Sequence, residues 1–129
     1  MPTKILIIED DPVALRFAQY TLEQEGYQVL SAPNGLEGLK KAQEEAPGLI
    51  ILDVMLPGMD GFQVCRRLRA TDSTADIPIL MVSAKARESD RGTGPKLGAD
   101  EYLTKPVSPS ELVASVERLL AMKGSKQQI

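Results

Sequence analysis

Five short apolar runs recur along the chain, and four of the segments that follow them have helical spacing. Lys4–Ile8 and Leu49–Asp53 are the most apolar runs and show no polar alternation. Such runs are typical of strands that are buried on both faces of a parallel sheet. Three further runs, at residues 27–32, 77–82 and 100–103, complete a set of five predicted strands.

Helix start signals stand directly before the apolar stripes. Asp11, Asn34 and Asp60 are each placed to cap a helix, and Ser108 begins a Ser-x-x-Glu capping box that ends at Glu111. Apolar residues at helical spacing then predict the buried side of each helix. These inward positions are Leu15, Ala18 and Leu22; Leu36, Leu39 and Ala42; Phe62, Cys65 and Leu68; and Leu112, Val116, Leu119 and Leu120.

The segment between the fourth and fifth strands departs from this pattern. Residues 87–98 should supply a fourth helix, yet they include Gly92, Gly94 and Pro95. Glycine costs about 1 kcal/mol in a helix interior and proline about 3 kcal/mol. We therefore predict that this helix is shortened, broken or displaced.

The alternation of strands and helices predicts a flavodoxin-like doubly wound α/β fold. Five parallel strands with right-handed crossovers place helices on both faces of the sheet, and the polar second strand suits an edge. The expected strand order is 2-1-3-4-5. We expect one domain over residues 1–122, followed by a frayed tail or linker over residues 123–129.

Composition narrows the function classes. The net charge of −3 argues against direct binding of nucleic acid or an anionic membrane, and no apolar run is long enough to span a bilayer. The opening residues lack a signal-peptide pattern, so we expect a cytoplasmic protein. The absence of histidine excludes histidine-dependent triads and most transition-metal sites, while Cys65 is the only cysteine and is expected to be a core side chain.

Polar residues that can carry chemistry follow four of the five strands. They are Glu9 and Asp10, Asp53, Ser83 and Lys105. Because the carboxyl ends of parallel strands meet at one edge, these side chains should face one crevice. Two carboxylates about 5 Å apart repel each other by roughly 3 kcal/mol at an effective dielectric constant near 20. A divalent cation removes that repulsion, and an oxygen-only ligand set suits Mg²⁺.

The same residues could stabilise a phosphoryl group. The Asp53 carboxylate is a competent nucleophile, and the Lys105 ammonium and Ser83 hydroxyl could share the phosphoryl oxygens with the metal. Each residue alone could be a cap, a turn residue or a surface lysine, but their joint occurrence at one edge disfavours coincidence. An aspartate-nucleophile phosphatase would need a second acid at Met55, and a flavin or nucleotide module would need a glycine-rich loop.

The sequence closely resembles the receiver domain of two-component response regulators. The motifs that carry the resemblance are residues 5–11 (ILIIEDD), 52–61 (LDVMLPGMDG) and 97–106 (LGADEYLTKP), and the match covers nearly the whole chain. The resemblance implies a phosphorelay protein in which Asp53 accepts a phosphoryl group from a phosphohistidine. The donor would be a sensor histidine kinase or a phosphotransfer protein. The chain would be a phosphoacceptor that assists its own phosphotransfer and dephosphorylation, without being an enzyme.

The resemblance also assigns the metal ligands. Asp10, Asp53 and the Met55 backbone carbonyl would bind Mg²⁺ directly, with Mn²⁺ as a substitute, and Glu9 would act through water. Lys105 would contact the phosphoryl group, and its bond to Pro106 is expected to be cis.

Switching and output follow from the same resemblance. Ser83 and Tyr102 would form the switch pair, while Met55 and Lys85 would tune dephosphorylation. The surface of the fourth helix, fifth strand and fifth helix would change on phosphorylation. That surface would signal to an effector domain or a target protein, or form a homodimer. The alternative is a degenerate receiver that acts as a phosphorylation-independent binding scaffold.

Overall fold

A computed structural model describes residues 2–84 and 98–128 of the chain. Its single sheet contains five parallel strands in the order β2-β1-β3-β4-β5. The strands are β1 Lys4–Ile8, β2 Gln28–Ala32, β3 Leu49–Asp53, β4 Ile79–Ser83 and β5 Glu101–Thr104. Every residue of β3 and β4 is buried, whereas β2 and β5 are partly exposed edge strands. The predicted order and the edge position of β2 are confirmed.

Four helices lie in the described residues. They are α1 Pro12–Gln24, α2 Gly35–Glu45, α3 Gly61–Ala70 and α4 Pro109–Gln128. The Asp11, Asn34 and Asp60 side chains accept hydrogen bonds from Val13 N, Glu37 N and Gln63 N respectively. Ser108 and Glu111 bond to each other's backbone N–H groups, as the capping box predicts.

Two apolar cores sandwich the sheet. One contains Leu39 and Ala42 of α2 and Val64, Cys65 and Leu68 of α3. The other contains residues of α1 and α4, namely Ala18, Leu22, Leu112, Val116 and Leu119. Helices therefore cover both faces, and the doubly wound α/β fold is confirmed.

One local expectation is wrong. Leu36 is 66% exposed, because the buried side of α2 is formed by Gly35, Gly38, Leu39 and Ala42, and Leu36 lies about 100° around the helix from Gly35. The last helix extends to Gln128, beyond the predicted end of the domain at residue 122. Lysine and glutamine are good helix formers, and the single Gly124 weakens the helix by only about 1 kcal/mol.

The predicted break in the fourth helix concerns residues 87–98, nearly all of which lie outside the described residues. The division into a domain of residues 1–122 and a tail stays a prediction. Within the described part of the chain, no helix combines the length and hydropathy that crossing a bilayer requires.

Candidate functional site

Three carboxylates meet at the carboxyl edge of the sheet. Glu9 and Asp10 follow β1, and Asp53 is the last residue of β3. Ile8 pairs with Leu52, so the two strands end side by side. Carboxylate oxygens of the three acids all lie within 4.8 Å of one another. Glu9 and Asp53 are only 7% and 5% exposed, whereas Asp10 is exposed to solvent.

Backbone hydrogen bonds hold the two buried acids in place. The Asp11 N–H donates to Glu9 Oε2 at 3.1 Å, and the Met55 N–H donates to Asp53 Oδ1 at 3.2 Å. The sequence pattern predicts Asp11 only as a helix cap. Its second role, as a donor to Glu9, could have been inferred from the tight Asp-Pro helix start directly after the acid.

Lys105 reaches this acidic group from a distant part of the chain. Its backbone N–H donates to Ser83 O at 2.7 Å, and its peptide bond to Pro106 is cis, as expected. The ammonium nitrogen lies 3.3 Å from Glu9 Oε1 and 3.5 Å from Asp53 Oδ2. Among the described residues, Lys105 is thus the one cation that pairs with this cluster of three carboxylates.

Burial and nearby charges shift the pKa of Glu9. Burial raises the pKa of its carboxyl from 4.5 to about 7, and the negative charge of Asp53 contributes to the rise, against the lowering effects of the Asp11 N–H and Lys105. Burial by itself lowers the pKa of Lys105, but Asp53 and Glu9 outweigh that effect and the net pKa is raised. The Lys105 side chain is therefore cationic, and its one positive charge interacts with the carboxylates of both Glu9 and Asp53.

The hydroxyl residue lies at the same edge. Ser83 ends β4 and is fully buried, and its Oγ donates to Ala84 O at 3.1 Å. Asp53 pairs with Val82, so Ser83 is one position beyond the residue opposite the phosphoacceptor candidate.

Two further predicted residues have contrasting positions. Tyr102, on β5, is partly buried with its ring centroid 6.4 Å from that of Phe62. The Met55 side chain is 55% exposed beside Asp53. The structure thus brings together Glu9, Asp10, Asp53 and Lys105. Lys85 lies outside the described residues, and the functional roles of all the site residues stay predictions.

The donor set fits Mg²⁺. All the clustered ligand atoms are carboxylate oxygens, and the exposed Asp10 leaves the group open to water on one side. Mg²⁺ prefers a few carboxylates and retains several water ligands, as such an open cluster allows. The charge of the cation would also offset the negative charge of Asp53, which adds to the effect of burial in raising the pKa of Glu9.

A family model and curated relatives each match more than four fifths of this chain. A family model described as "Response regulator receiver domain" matches residues 5–117. The chain is 48% identical to the alkaline phosphatase synthesis transcriptional regulatory protein PhoP of Bacillus subtilis, over 93% of this chain and 49% of that protein. It is 38% identical to protein PilH of Pseudomonas aeruginosa, over 92% of this chain and 98% of that protein.

Solved structures share the fold. The chemotaxis response regulator CheY4 of Vibrio cholerae has a TM-score of 0.86 at 31% identity, covering 92% of this chain and 99% of that one. The receiver domain of the sensor histidine kinase PA1611 from Pseudomonas aeruginosa, with a magnesium ion in its active-site cleft, has a TM-score of 0.87 at 29% identity. That match covers 94% of this chain and 99% of the other. The chain spans about half the length of the first three curated relatives it matches.

Proposed function

The chain belongs to the response regulator receiver domains, and from this membership we propose that Asp53 accepts a phosphoryl group with the help of Mg²⁺. The donor would be a phosphohistidine on a sensor histidine kinase or a phosphotransfer protein. The phosphorus bond to the donor atom breaks as a bond forms from phosphorus to an Asp53 carboxylate oxygen. A cytoplasmic location is part of the proposal and rests on family membership alone.

One observation carries this proposal. Three carboxylates lie within 4.8 Å of one another, and Lys105 Nζ is 3.3–3.5 Å from the two that are buried. In a cluster that serves the fold alone we expect paired charges, whereas the described residues place one cation, Lys105, beside these three carboxylates. Such a cluster favours the binding of a cation. The bound cation would in turn attract the negatively charged phosphoryl group.

The residues then have distinct roles. Asp53 supplies the nucleophilic oxygen, which the Met55 N–H orients through its bond to the other carboxylate oxygen. Lys105 would stabilise negative charge on the phosphoryl oxygens, and Asp10 and the Met55 carbonyl would join Asp53 as metal ligands, with Glu9 acting through water. Mg²⁺ or Mn²⁺, when bound, neutralises charge on the transferred group.

Phosphorylation would change the charge on the Asp53 side chain from one negative charge to nearly two. We propose that Ser83 moves toward the new group and that Tyr102 responds on the neighbouring strand. Met55 and Lys85 would tune the rate of dephosphorylation. The surface of β5 and α4, together with the fourth helix that the sequence predicts outside the described residues, would report the change to an effector domain, a target protein or a second copy.

An apolar groove beside the site suits a protein donor. A concave space of about 610 Å³ lies between α1 and the chain after Lys105, and its lining includes Val13, Phe17, Pro106 and Val107. Val13 is 75% exposed and Phe17 is 37% exposed. Apolar side chains at helical spacing on an exposed face are typical of sites that receive another helix.

The decisive test is intact mass spectrometry after incubation with Mg²⁺ and acetyl phosphate. The wild-type chain should gain one phosphoryl group, and Asp53→Asn should gain none. Asp11→Asn is the matched control, since an asparagine still caps α1 and Asp11 is outside the carboxylate cluster.

Modification of Asp53→Asn to the wild-type level would reject Asp53 as the acceptor. A wild-type chain that stays unmodified, with both acetyl phosphate and a phosphorylated histidine-containing donor, would favour the alternative of a degenerate receiver that acts as a binding scaffold.

A further inference from the structure

Gly61 is in unusually close contact with the backbone of the predicted phosphoacceptor. It is the first residue of α3, it is buried, and its N–H donates to Val54 O at 2.9 Å. A Cβ atom built on Gly61 would lie 2.4 Å from Asp53 O and 2.8 Å from Val54 Cα. Cβ contacts under 3.0 Å essentially never occur, so only glycine fits at this position without a shift.

The close approach, and not the backbone angle, requires the glycine. The glycines with positive φ among the described residues are Gly26, Gly58 and Gly98, and Gly61 is not one of them. The two nearest atoms are backbone atoms, which cannot rotate away as the end of a side chain can. A side chain here must therefore move either α3 or the end of β3.

Both partners in this contact are held firmly. The Asp60–Gln63 capping box fixes the start of α3, and Val64, Cys65 and Leu68 anchor the helix in the core. On the other side, the Val54 N–H donates to Val82 O at 3.0 Å and ties the chain after Asp53 to β4. Neither α3 nor the end of β3 can move without disturbing these hydrogen bonds and core contacts.

We propose that Gly61 is a positioning residue for the phosphorylation site, because α3 rests directly on the Asp53–Val54 peptide and sets where the acceptor carboxylate and the Met55 peptide lie. This inference rests on the function proposed above. The contact for a Cβ is about 1 Å short of the ordinary range of 3.4–4 Å. Displacements of about 1 Å at a reacting group can reduce rates by about 100-fold.

Gly61→Ala tests the inference, and Gly35→Ala is its matched control. Gly35 is also a buried first residue of a helix, and a Cβ there would lie 2.7 Å from Val64 Cγ2. That neighbour is a side-chain atom of α3 and is not part of the backbone after Asp53. The two substitutions therefore add the same methyl group to similarly crowded helix starts, but only one presses on the acceptor backbone.

Three measurements separate positioning from general destabilisation. In metal-free protein, Gly61→Ala should shift the backbone amide NMR signals of residues 53–55, and Gly35→Ala should leave them near the wild-type values. Mg²⁺ affinity should fall about tenfold in Gly61→Ala, and the rate of phosphorylation by acetyl phosphate should fall about 10- to 100-fold. Both quantities should change less than about threefold in Gly35→Ala.

Met81 provides a further control, since its Cε atom is 3.0 Å from the point that a Cβ atom on Gly61 would occupy. Met81→Leu removes that atom and preserves most of the side-chain volume. The Gly61→Ala, Met81→Leu double variant should remain impaired, because the clash with Asp53 O persists. Recovery to wild-type values would place the clash at Met81 and overturn the inference.

Two other results would also overturn it. One is a Gly61→Ala protein with the Mg²⁺ affinity and amide signals of Gly35→Ala. The other is a Gly61→Ala chain that fails to fold while Gly35→Ala and Met81→Leu fold, because Gly61 would then serve the fold alone. A wild-type protein that binds Mg²⁺ but is never phosphorylated would refute the proposed function, and the NMR and Mg²⁺ results would still decide the role of Gly61.

Discussion

Two ionic clusters lie at opposite edges of the same sheet, and their charges are balanced differently. At the amino ends of β4 and β5, Arg69 pairs with Asp100 at 2.7 Å. Its remaining nitrogens donate to the carbonyls of Gly98, Ala75 and Ile77 at 2.6–2.9 Å. At the carboxyl edge, the cluster contains three carboxylates, and Lys105 is the one cation among the described residues that pairs with it, through Glu9 and Asp53.

The difference separates a cluster whose charges are paired within the protein from the cluster that we propose binds a cation. One cation meets one anion and several carbonyl acceptors around Arg69, so the ions are satisfied within the protein. The Asp100 Oδ2 atom also accepts from Ile79 N at 2.8 Å, which joins α3 to the starts of both strands. Among the described residues, the carboxyl edge has more acidic than basic side chains, and a bound cation would offset their repulsion.

The largest effect is expected from breaking the balanced cluster. Arg69→Ala leaves Asp100 and three carbonyl acceptors without their cation, and should reduce the free energy of unfolding by about 3 kcal/mol. Urea denaturation followed by circular dichroism measures this loss. Arg67→Ala, on the exposed face of the same helix, is the control and should change stability by less than about 0.5 kcal/mol.

The folded Arg69→Ala protein should still be phosphorylated at nearly the wild-type rate in the absence of urea. A similar stability for both arginine variants, or a selective loss of phosphorylation in Arg69→Ala, would contradict the separation of the two clusters.

The next largest effect is expected from removing the charge of Lys105, the one cation that the described part of the chain places in the carboxyl-edge cluster. Lys105→Gln preserves most of the side chain but removes the charge that would contact the phosphoryl oxygens. The loss of one charge-assisted hydrogen bond of about 2 kcal/mol corresponds to a rate of phosphorylation about 30-fold lower. The rate can be followed by intact mass during incubation with acetyl phosphate and Mg²⁺.

Lys4→Gln is a suitable control for that measurement. Lys4 also pairs with a glutamate, Glu45 at 3.2 Å, but both side chains are about 40% exposed and belong to neither cluster. An equal loss of rate in both lysine variants would show that the position of the Lys105 ammonium is not what matters.

The smallest effect concerns Glu9 in metal-free protein. Its folded-state pKa of about 7 lies above the unfolded value near 4.5, so the folded state holds the proton more tightly. This contribution to stability is fully present below pH 4.5 and is lost as the pH rises through 7. Above pH 7, the free energy of unfolding of Glu9→Gln should exceed that of the wild type by about 1–2 kcal/mol. This figure allows for the lost contact between Glu9 and Lys105.

Urea denaturation of both proteins across this pH range, with a chelator present, measures the difference. The advantage of Glu9→Gln should shrink toward acid pH and when Mg²⁺ is added to the wild type. Glu45→Gln is the control for an exposed carboxylate. A difference between Glu9→Gln and the wild type that does not vary with pH would refute an imbalance centred on Glu9.

Much of the fold was predictable because its signals are local. Apolar runs, proline at a helix start and capping residues predicted all five strands and the four described helices, and the order of the strands followed from general rules for parallel sheets. Strand bounds were less accurate. The fourth strand was predicted at residues 77–82 and is Ile79–Ser83, because a ladder hydrogen bond depends on the neighbouring strand and Pro78 cannot donate one.

The gathering of the acids with Lys105 was also predictable, since the carboxyl ends of parallel strands share one edge. The Arg69 cluster was not. Arg69 is one of three arginines within four positions on α3, and periodicity alone does not show which one turns toward the start of β4. The predicted burial of Leu36 was wrong for a similar reason, since Gly35 and Gly38, and not Leu36, lie on the buried side of α2.

By itself the sequence determined the types of element, their order and the residues that can reach the carboxyl edge, because these follow from short-range patterns and the chirality of the chain. Only the tertiary structure decided how charge is shared at that edge, which arginine anchors the opposite one, and that Gly61 touches the Asp53–Val54 peptide. Those outcomes depend on distances that local sequence patterns do not set, and a displacement of about 1 Å in the protein would change each contact.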